Sequence, residues 1–318
     1  VNSSRSAQAG VDWLLSSDEP AVRALTRRDV LGLPGDESAS DVLAGPKVAA
    51  LLDGQQPNGG FGGSPYRKWV GTHWRLVSLA ELDAPADDPR VAAAAEHELA
   101  WITRQGQYRG REIEVDGLPR ICASIDGNAL AVSCRLGLAA DPRAALVAES
   151  LVSWQWPDGG WNCDRKASGY RSSFHETVST AWALHEFAQA TGDGAAREAA
   201  ERAAELFLEH RLLYKLGTDQ AINRRWLQLR YPSYWRYDLL RVLILLMRMG
   251  KLDDPRAQDA LDELERRRLP DGRWTTDDRW WKPGAKITPE VVDWGEPGEP
   301  SEPVTLDALR VLTAAGRG

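Results

Sequence analysis

The chain has 318 residues, 43% hydrophobic and 27% charged, a composition that suits a globular protein with a sizeable core and excludes disordered or fibrous classes. Its net charge of −7 argues against a nucleic-acid or anionic-membrane footprint, since either needs a surplus of Lys and Arg on one face. Three cysteines without paired spacing (Cys122, Cys134, Cys163), a polar start and no uninterrupted apolar span predict a cytoplasmic protein with reduced thiols and no membrane span.

In chain order, helices of one type are predicted at 20–31, 73–82, 127–138, 176–190, 234–249 and 304–315. Helices of a second type, at 90–104, 142–154 and 255–267, each open on Asp-Pro-Arg (Asp88 to Arg90, Asp141 to Arg143, Asp254 to Arg256). Asp is a good N-cap and Pro fits the first turn, where its missing N–H is no loss. A Gly-rich aromatic turn recurs between the two types: Gln56-Pro-Asn-Gly-Gly-Phe61, Gln155-Trp-Pro-Asp-Gly-Gly-Trp161 and Leu269-Pro-Asp-Gly-Arg-Trp274. A repeat of helical pairs is the signature of a solenoid or a ring. Six pairs can close, and bulky Trp74, Trp182, Trp235 and Tyr237 near helix starts would crowd a tight solenoid stack, so the expectation is all-α, a single-domain (α/α)6 toroid over 1–318 around a central cavity. Two irregular stretches, 212–232 and 280–303, are long enough to act as lids, and Trp69, Trp226, Trp280, Trp281 and Trp294 join the cavity or lid candidates.

The glycine-aromatic turn resembles the QW motif of squalene and hopene cyclases, and its looser form is similar to turns in protein prenyltransferase β subunits. Gly71-Thr-His-Trp74, Gly159-Gly-Trp-Asn-Cys-Asp164 and Tyr231-Pro-Ser-Tyr-Trp235 are similar to short bacterial prenyltransferase and squalene-oxidase repeat proteins. The resemblance implies the toroid. It does not carry over the chemistry: Asp-x-Asp-Asp is absent, Asp87-Asp88 and Asp253-Asp254 run into Pro-Arg and lack a third acid, and no thioester Cys-Gly-Glu-Gln occurs. Tyr170 and Ser172 fall where the prenyltransferase zinc pair would stand.

What remains is a polar set within one turn of the first-type helix starts: His73, Asp126, Asn128, His175, Glu176, Arg236 and Asp238. Asp126 reads as an N-cap and Glu176 as a first-turn carboxylate. A helix N-terminus lowers a carboxyl pKa, so a general acid there needs burial or a second carboxylate, which Asp126, Glu176 and Asp238 can supply in pairs. The catalytic candidates are therefore Asp126, Glu176, Asp238, His73 and His175, and the substrate-binding candidates Trp74, Asn128, Trp182, Trp235, Arg236 and Tyr237. Cys163, Asp164 and His175, with Cys122 or His73, are suitable zinc ligands but lack zinc-finger spacing, so no cofactor is expected. Arg67, Lys68, Arg165, Lys166, Arg171 and Arg236 form a basic rim. The partner expected is a small molecule. Three functions stay open: a cyclase or isomerase type enzyme using acid-base chemistry on an apolar, isoprenoid-like substrate; a carbohydrate-active toroid, glycosidase or lyase; and a non-catalytic small-molecule or lipid binder.

Overall fold

A computed structural model describes residues 2–104, 111–279 and 290–318. Each Asp-Pro-Arg starts a helical segment as predicted, with the Asp88, Asp141 and Asp254 side chains accepting the backbone N–H of Arg90, Arg143 and Arg256. The helices α1 (Asn2–Leu15), α4 (Pro46–Leu52), α6 (Pro89–Ile102), α8 (Pro142–Ser153), α10 (Gly194–Glu209) and α12 (Gln258–Arg266) form one set. They alternate along the chain with α2 (Pro20–Leu25, prolonged by a π turn over Thr26–Val30), α5 (Thr72–Glu81), α7 (Ala123–Arg135), α9 (Phe174–Thr191), α11 (Leu239–Arg248) and α13 (Glu302–Ala314). A short α3 (Ala39–Ala44) opens on a Ser38/Asp41 capping box, and β1 (Ile113–Val115) pairs antiparallel with β2 (Leu118–Arg120) before α7. The chain is thus mostly helical.

Two starts differ by four residues or more from the sequence reading. The helix expected at 234–249 begins at Leu239, because Asp238 caps it by accepting the Arg241 N–H. The helix expected at 127–138 begins at Ala123 with Cys122 as N-cap, so Asp126 is a buried residue of its first turn and not the cap.

The second set is buried nearly all round, as helices at a domain's interior are, whereas the first set buries one face. α5 packs on α7, α7 on α9, α9 on α11, α11 on α13 and α13 on α2. The first set lies over the seams: α6 touches α5 and α7, α8 touches α7 and α9, α12 touches α11 and α13, and α1 touches α13 and α2.

The repeated turn explains this register. The Trp161 indole N–H donates to Leu151 O at the end of α8 while its backbone N–H donates to Thr177 Oγ1 in α9. Trp274 repeats both bonds, to Leu264 O and to Thr305 Oγ1. One aromatic residue therefore ties the end of a first-set helix to the start of the next second-set helix. The turn's glutamine donates to Gly159 O and onward to Ala199 O in α10; its counterpart in the first repeat is Gln55, which reaches Gly59 O and Arg90 O, not Gln56. Gly59 and Gly159 have positive φ and press against the Ala93 and Arg202 carbonyls of the following outer helix. At Gly272, also at positive φ, the contact runs the other way: its carbonyl oxygen presses on Gly10 of α1.

Toward the C-terminal ends of the inner helices runs a chain of alternating charges. Arg28 pairs with Asp83 at 2.5 Å, Asp83 with Arg135 at 3.2 Å, Arg135 with Glu186 at 3.6 Å and Glu186 with Arg248 at 3.9 Å. Arg248 is electrostatically coupled to Asp307, which pairs with Arg310 at 3.1 Å; Arg310 then meets Asp29, beside Arg28. The sequence of partners follows the inner helices in order and returns to the first. Arginines at these ends offset the negative helix termini.

Candidate functional site

The opposite ends of α5, α7, α9 and α11 gather the polar residues singled out in the sequence. Glu176, in the first turn of α9, accepts the Ser124 N–H of α7 at 2.8 Å on Oε2 and the Cys163 thiol at 3.4 Å on Oε1. One carboxylate thereby satisfies an unpaired amide at the head of the neighbouring helix. Burial pushes the Glu176 carboxyl up; Ser124 and Cys163 work against this, and nearby Asp126 adds to it by like-charge repulsion. Asp126 is itself buried and ion-paired with Arg111. The expected carboxyl pair is therefore Asp126 with Glu176.

Cys122, the N-cap of α7, hydrogen-bonds with Cys163; this bond holds the Cys122 thiol down and the Cys163 thiol up. Cys122, Cys163 and Glu176 have ligand atoms within 4.8 Å of one another. Asp164, His175 and His73 stand outside this trio.

His73, second residue of α5, is buried and its Nδ1 lies 2.6 Å from Oε1 of the equally buried Glu98 on α6. No motif or spacing in the chain marks Glu98, which reads as an ordinary surface glutamate of an amphipathic helix. The His73 ring meets Trp74 edge-on at 4.5 Å and Tyr66 at 5.5 Å. Burial pushes the Tyr66 hydroxyl up to about 12, with the nearby Cys122, Glu176 and Cys163 groups adding to the rise and Arg236 opposing it.

An aromatic cluster adjoins them. Trp69 stacks on Tyr234 at 4.5 Å and 6°, and Trp74 meets both rings edge-on at 4.9 and 5.0 Å, with Tyr66 and Trp235 packed against the group. Lys68 Nζ lies 5.3 to 5.8 Å from the Tyr66, Trp69 and Trp235 rings, and burial with the nearby Arg236 charge lowers its pKa. Tyr234 holds a φ of 54°, an uncommon and strained value for a bulky side chain, fixed by the Trp69 stack and by its hydroxyl bond to Glu290 at 2.6 Å. Burial pushes the Glu290 carboxyl up to about 8.

Asn128 donates to Tyr234 O at 3.1 Å. His175 accepts the Tyr237 N–H on Nδ1 at 2.8 Å, so its neutral ring carries the proton on Nε2; burial first, and Arg236 second, lower its pKa to about 4. Arg236 lies 4.7 Å over Trp235. Asp238 is fully buried, with Oδ2 unpartnered, and burial raises its pKa to about 7 against the pull of Arg241 and Arg230. Tyr237 is core, its hydroxyl donating to Leu212 O at 2.5 Å among Phe174, Phe207 and Trp226. Trp182 lies away from these helix starts: its indole N–H donates to Glu186, and Arg241 and Arg248 cover its ring. Trp280 and Trp281 fall outside the described residues, and the 212–232 stretch contributes buried Trp226 and Arg230 and a short 3-10 turn, Arg224–Leu227.

The positions of the prenyltransferase zinc pair do not fit a metal. Tyr170 is 67% exposed, and Ser172 is engaged with Asp158 through both its hydroxyl and its N–H. No helix among the described residues is long and apolar enough to cross a membrane. No family model matches the chain, and no curated protein does. Among solved structures it is similar to a protein from Actinoplanes, at 21% identity and TM-score 0.45 over 99% of each chain. It is also similar to the type II terpene cyclase MstE from Scytonema, at 16% identity and TM-score 0.30 over 85% of this chain and 96% of that one. A variant of that cyclase in complex with its product, merosterolic acid A, gives 14% identity and TM-score 0.30 over 85% and 94%. Likenesses at these scores assign neither fold nor activity.

Proposed function

We propose that the six helical pairs close into a toroid and that the N-terminal mouth of its inner helices binds a small, largely apolar molecule, such as an isoprenoid, and isomerises it by proton transfer. Three relationships support the closure. The Gly272 carbonyl of the last glycine-aromatic turn meets Gly10 of α1, α13 packs against α1 and α2, and the alternating charges return from Arg310 to Asp29.

The observation that carries the chemistry is the His73–Glu98 pair. A buried carboxylate on one ring nitrogen fixes the imidazole's orientation and leaves the other nitrogen for the reacting proton. His73 Nε2 is that nitrogen: it is buried and has no partner among the described residues. Trp235 Nε1 and Asn128 Oδ1 are likewise buried and unpartnered, and orphaned polar atoms of this kind are what a bound molecule satisfies. The Trp69, Trp74, Tyr234 and Tyr66 rings supply an apolar wall. His73 takes a proton from one carbon of the substrate and returns it to another, so the product has the same composition.

The test is turnover of an organic extract of cell metabolites, followed by untargeted mass spectrometry. Wild type should deplete one apolar species and accumulate an isomer. His73→Gln, with folding verified, should slow this by about 10²-fold or more. Equal conversion by the variant would refute the role of His73.

A further inference from the structure

We propose that Cys122, Cys163 and Glu176 form a binding site for one thiophilic divalent cation, zinc foremost. The inference goes beyond the proton-transfer reading and does not depend on it.

Three separate pieces of chain converge here. Cys122 caps α7, Cys163 follows the Gly159-Gly160-Trp161 turn, and Glu176 stands in the first turn of α9. Their ligand atoms lie within 4.8 Å of one another. A tetrahedral zinc with bonds of about 2.3 Å to sulfur holds two sulfurs about 3.8 Å apart, so the two sulfurs need to close by about an ångström at most. The approach is built into the backbone. The Ile121 N–H donates to Asn162 O at 3.2 Å, tying together the residues that precede the two cysteines. Asn162 is fixed in turn by its side-chain bonds to Arg171 O and from the Asp164 N–H. On the third ligand, the Ser124 N–H holds Oε2 of Glu176 at 2.8 Å, which turns Oε1 toward the sulfurs; outer-shell bonds of this kind orient metal ligands.

The donor set selects the ion. Two thiols and one carboxylate favour zinc over magnesium or calcium, which take oxygen ligands. Binding displaces the thiol protons, and the cation offsets charge among three groups that would otherwise repel one another. Three protein ligands leave one position open, the arrangement of catalytic zinc, whereas structural sites take four. The open position would lie at the mouth that Tyr66 shares.

The experiment loads the full chain with zinc, removes excess by dialysis and measures bound metal by elemental analysis. About one zinc per chain is expected. Cobalt(II) in its place should give a thiolate-to-cobalt charge-transfer band and the visible bands of tetrahedral coordination. Cys122→Ser and Cys163→Ser should each abolish the charge-transfer intensity of their sulfur. Glu176→Gln, which keeps an acceptor for the Ser124 N–H and so guards against a folding artefact, should weaken zinc by more than the ~10-fold to 100-fold typical of losing an outer-shell partner. Cys134→Ser, remote on α7, should retain the metal. Failure to retain zinc at stoichiometric level, zinc retained unchanged in both mouth-cysteine variants, or a Cys122–Cys163 disulfide as the stable form of reduced and repurified protein would overturn the proposal. None of these readouts involves turnover, so the outcome is independent of the role given to His73.

Discussion

Gly10, in the first helix, lies against the carbonyl of Gly272, in the last glycine-aromatic turn, so closely that a β-carbon on Gly10 would collide with that oxygen. Gly59 and Gly159 meet α6 and α10 in the converse sense, turn glycine against helix carbonyl, so each of these turns lies close against a helix of the first set. Gly10→Ala should therefore destabilise the protein by about 1–3 kcal/mol, the range for overpacking, although Ala is the better helix former. Gly35→Ala, with open space around it, is the control and should change little. Urea denaturation of both variants measures the difference.

Arg310 and Asp29 join the last inner helix to the first. Arg310 is 11% exposed and Asp29 23% exposed, so the pair is only partly screened by solvent. Arg310→Met should cost about 1–3 kcal/mol, and a double-mutant cycle with Asp29→Asn should return a coupling of about 1 kcal/mol or more. A coupling near zero would remove this pair from the account of closure.

Asp238 ties stability to pH. Its folded pKa of about 7 is raised above the ordinary carboxylate value by burial, so folding favours the protonated form. The sign follows: its contribution is complete below about pH 4, is lost progressively as pH rises toward 7, and is level above that. The limiting slope is about 1.4 kcal/mol per pH unit, for a total of up to roughly 4 kcal/mol, with Arg230 and Arg241 the cations that limit it. Asp238→Asn keeps an acceptor for the Arg241 N–H. The variant should gain on wild type between pH 4 and 7 when denaturation midpoints are compared. A difference that does not change with pH would contradict the assignment.

The parts of the fold legible in the sequence were those with a local cause. Asp-Pro-Arg marks a cap wherever it occurs, and the aromatic turn marks a link between helices, because each acts through its own backbone. α1, α4 and α10 carry no such marker. α10 was still readable from its alanine-rich amphipathic stripe and its Asp193 cap, and a search keyed to Asp-Pro-Arg passes over it. At the site, Asp126, Glu176, His73 and Asn128 could be picked out because the repeat puts them at helix starts, whereas Trp235 lies four residues ahead of α11. Trp182 shows the limit of that rule: it lies two turns into α9, where Glu186 and two arginines hold it. Glu98, Arg111 and Tyr66 owe their roles to contacts across elements, and no spacing in the chain announces them.

The central claim is that the mouth beside His73 holds and changes a small molecule. Its most direct test is to extract purified wild type and His73→Gln and to identify what each carries by untargeted mass spectrometry, against an unrelated protein purified in the same way. The account predicts an apolar molecule enriched in the variant and its isomer enriched in wild type. The same molecule in equal amounts from both, or neither protein enriched above the control, would contradict it.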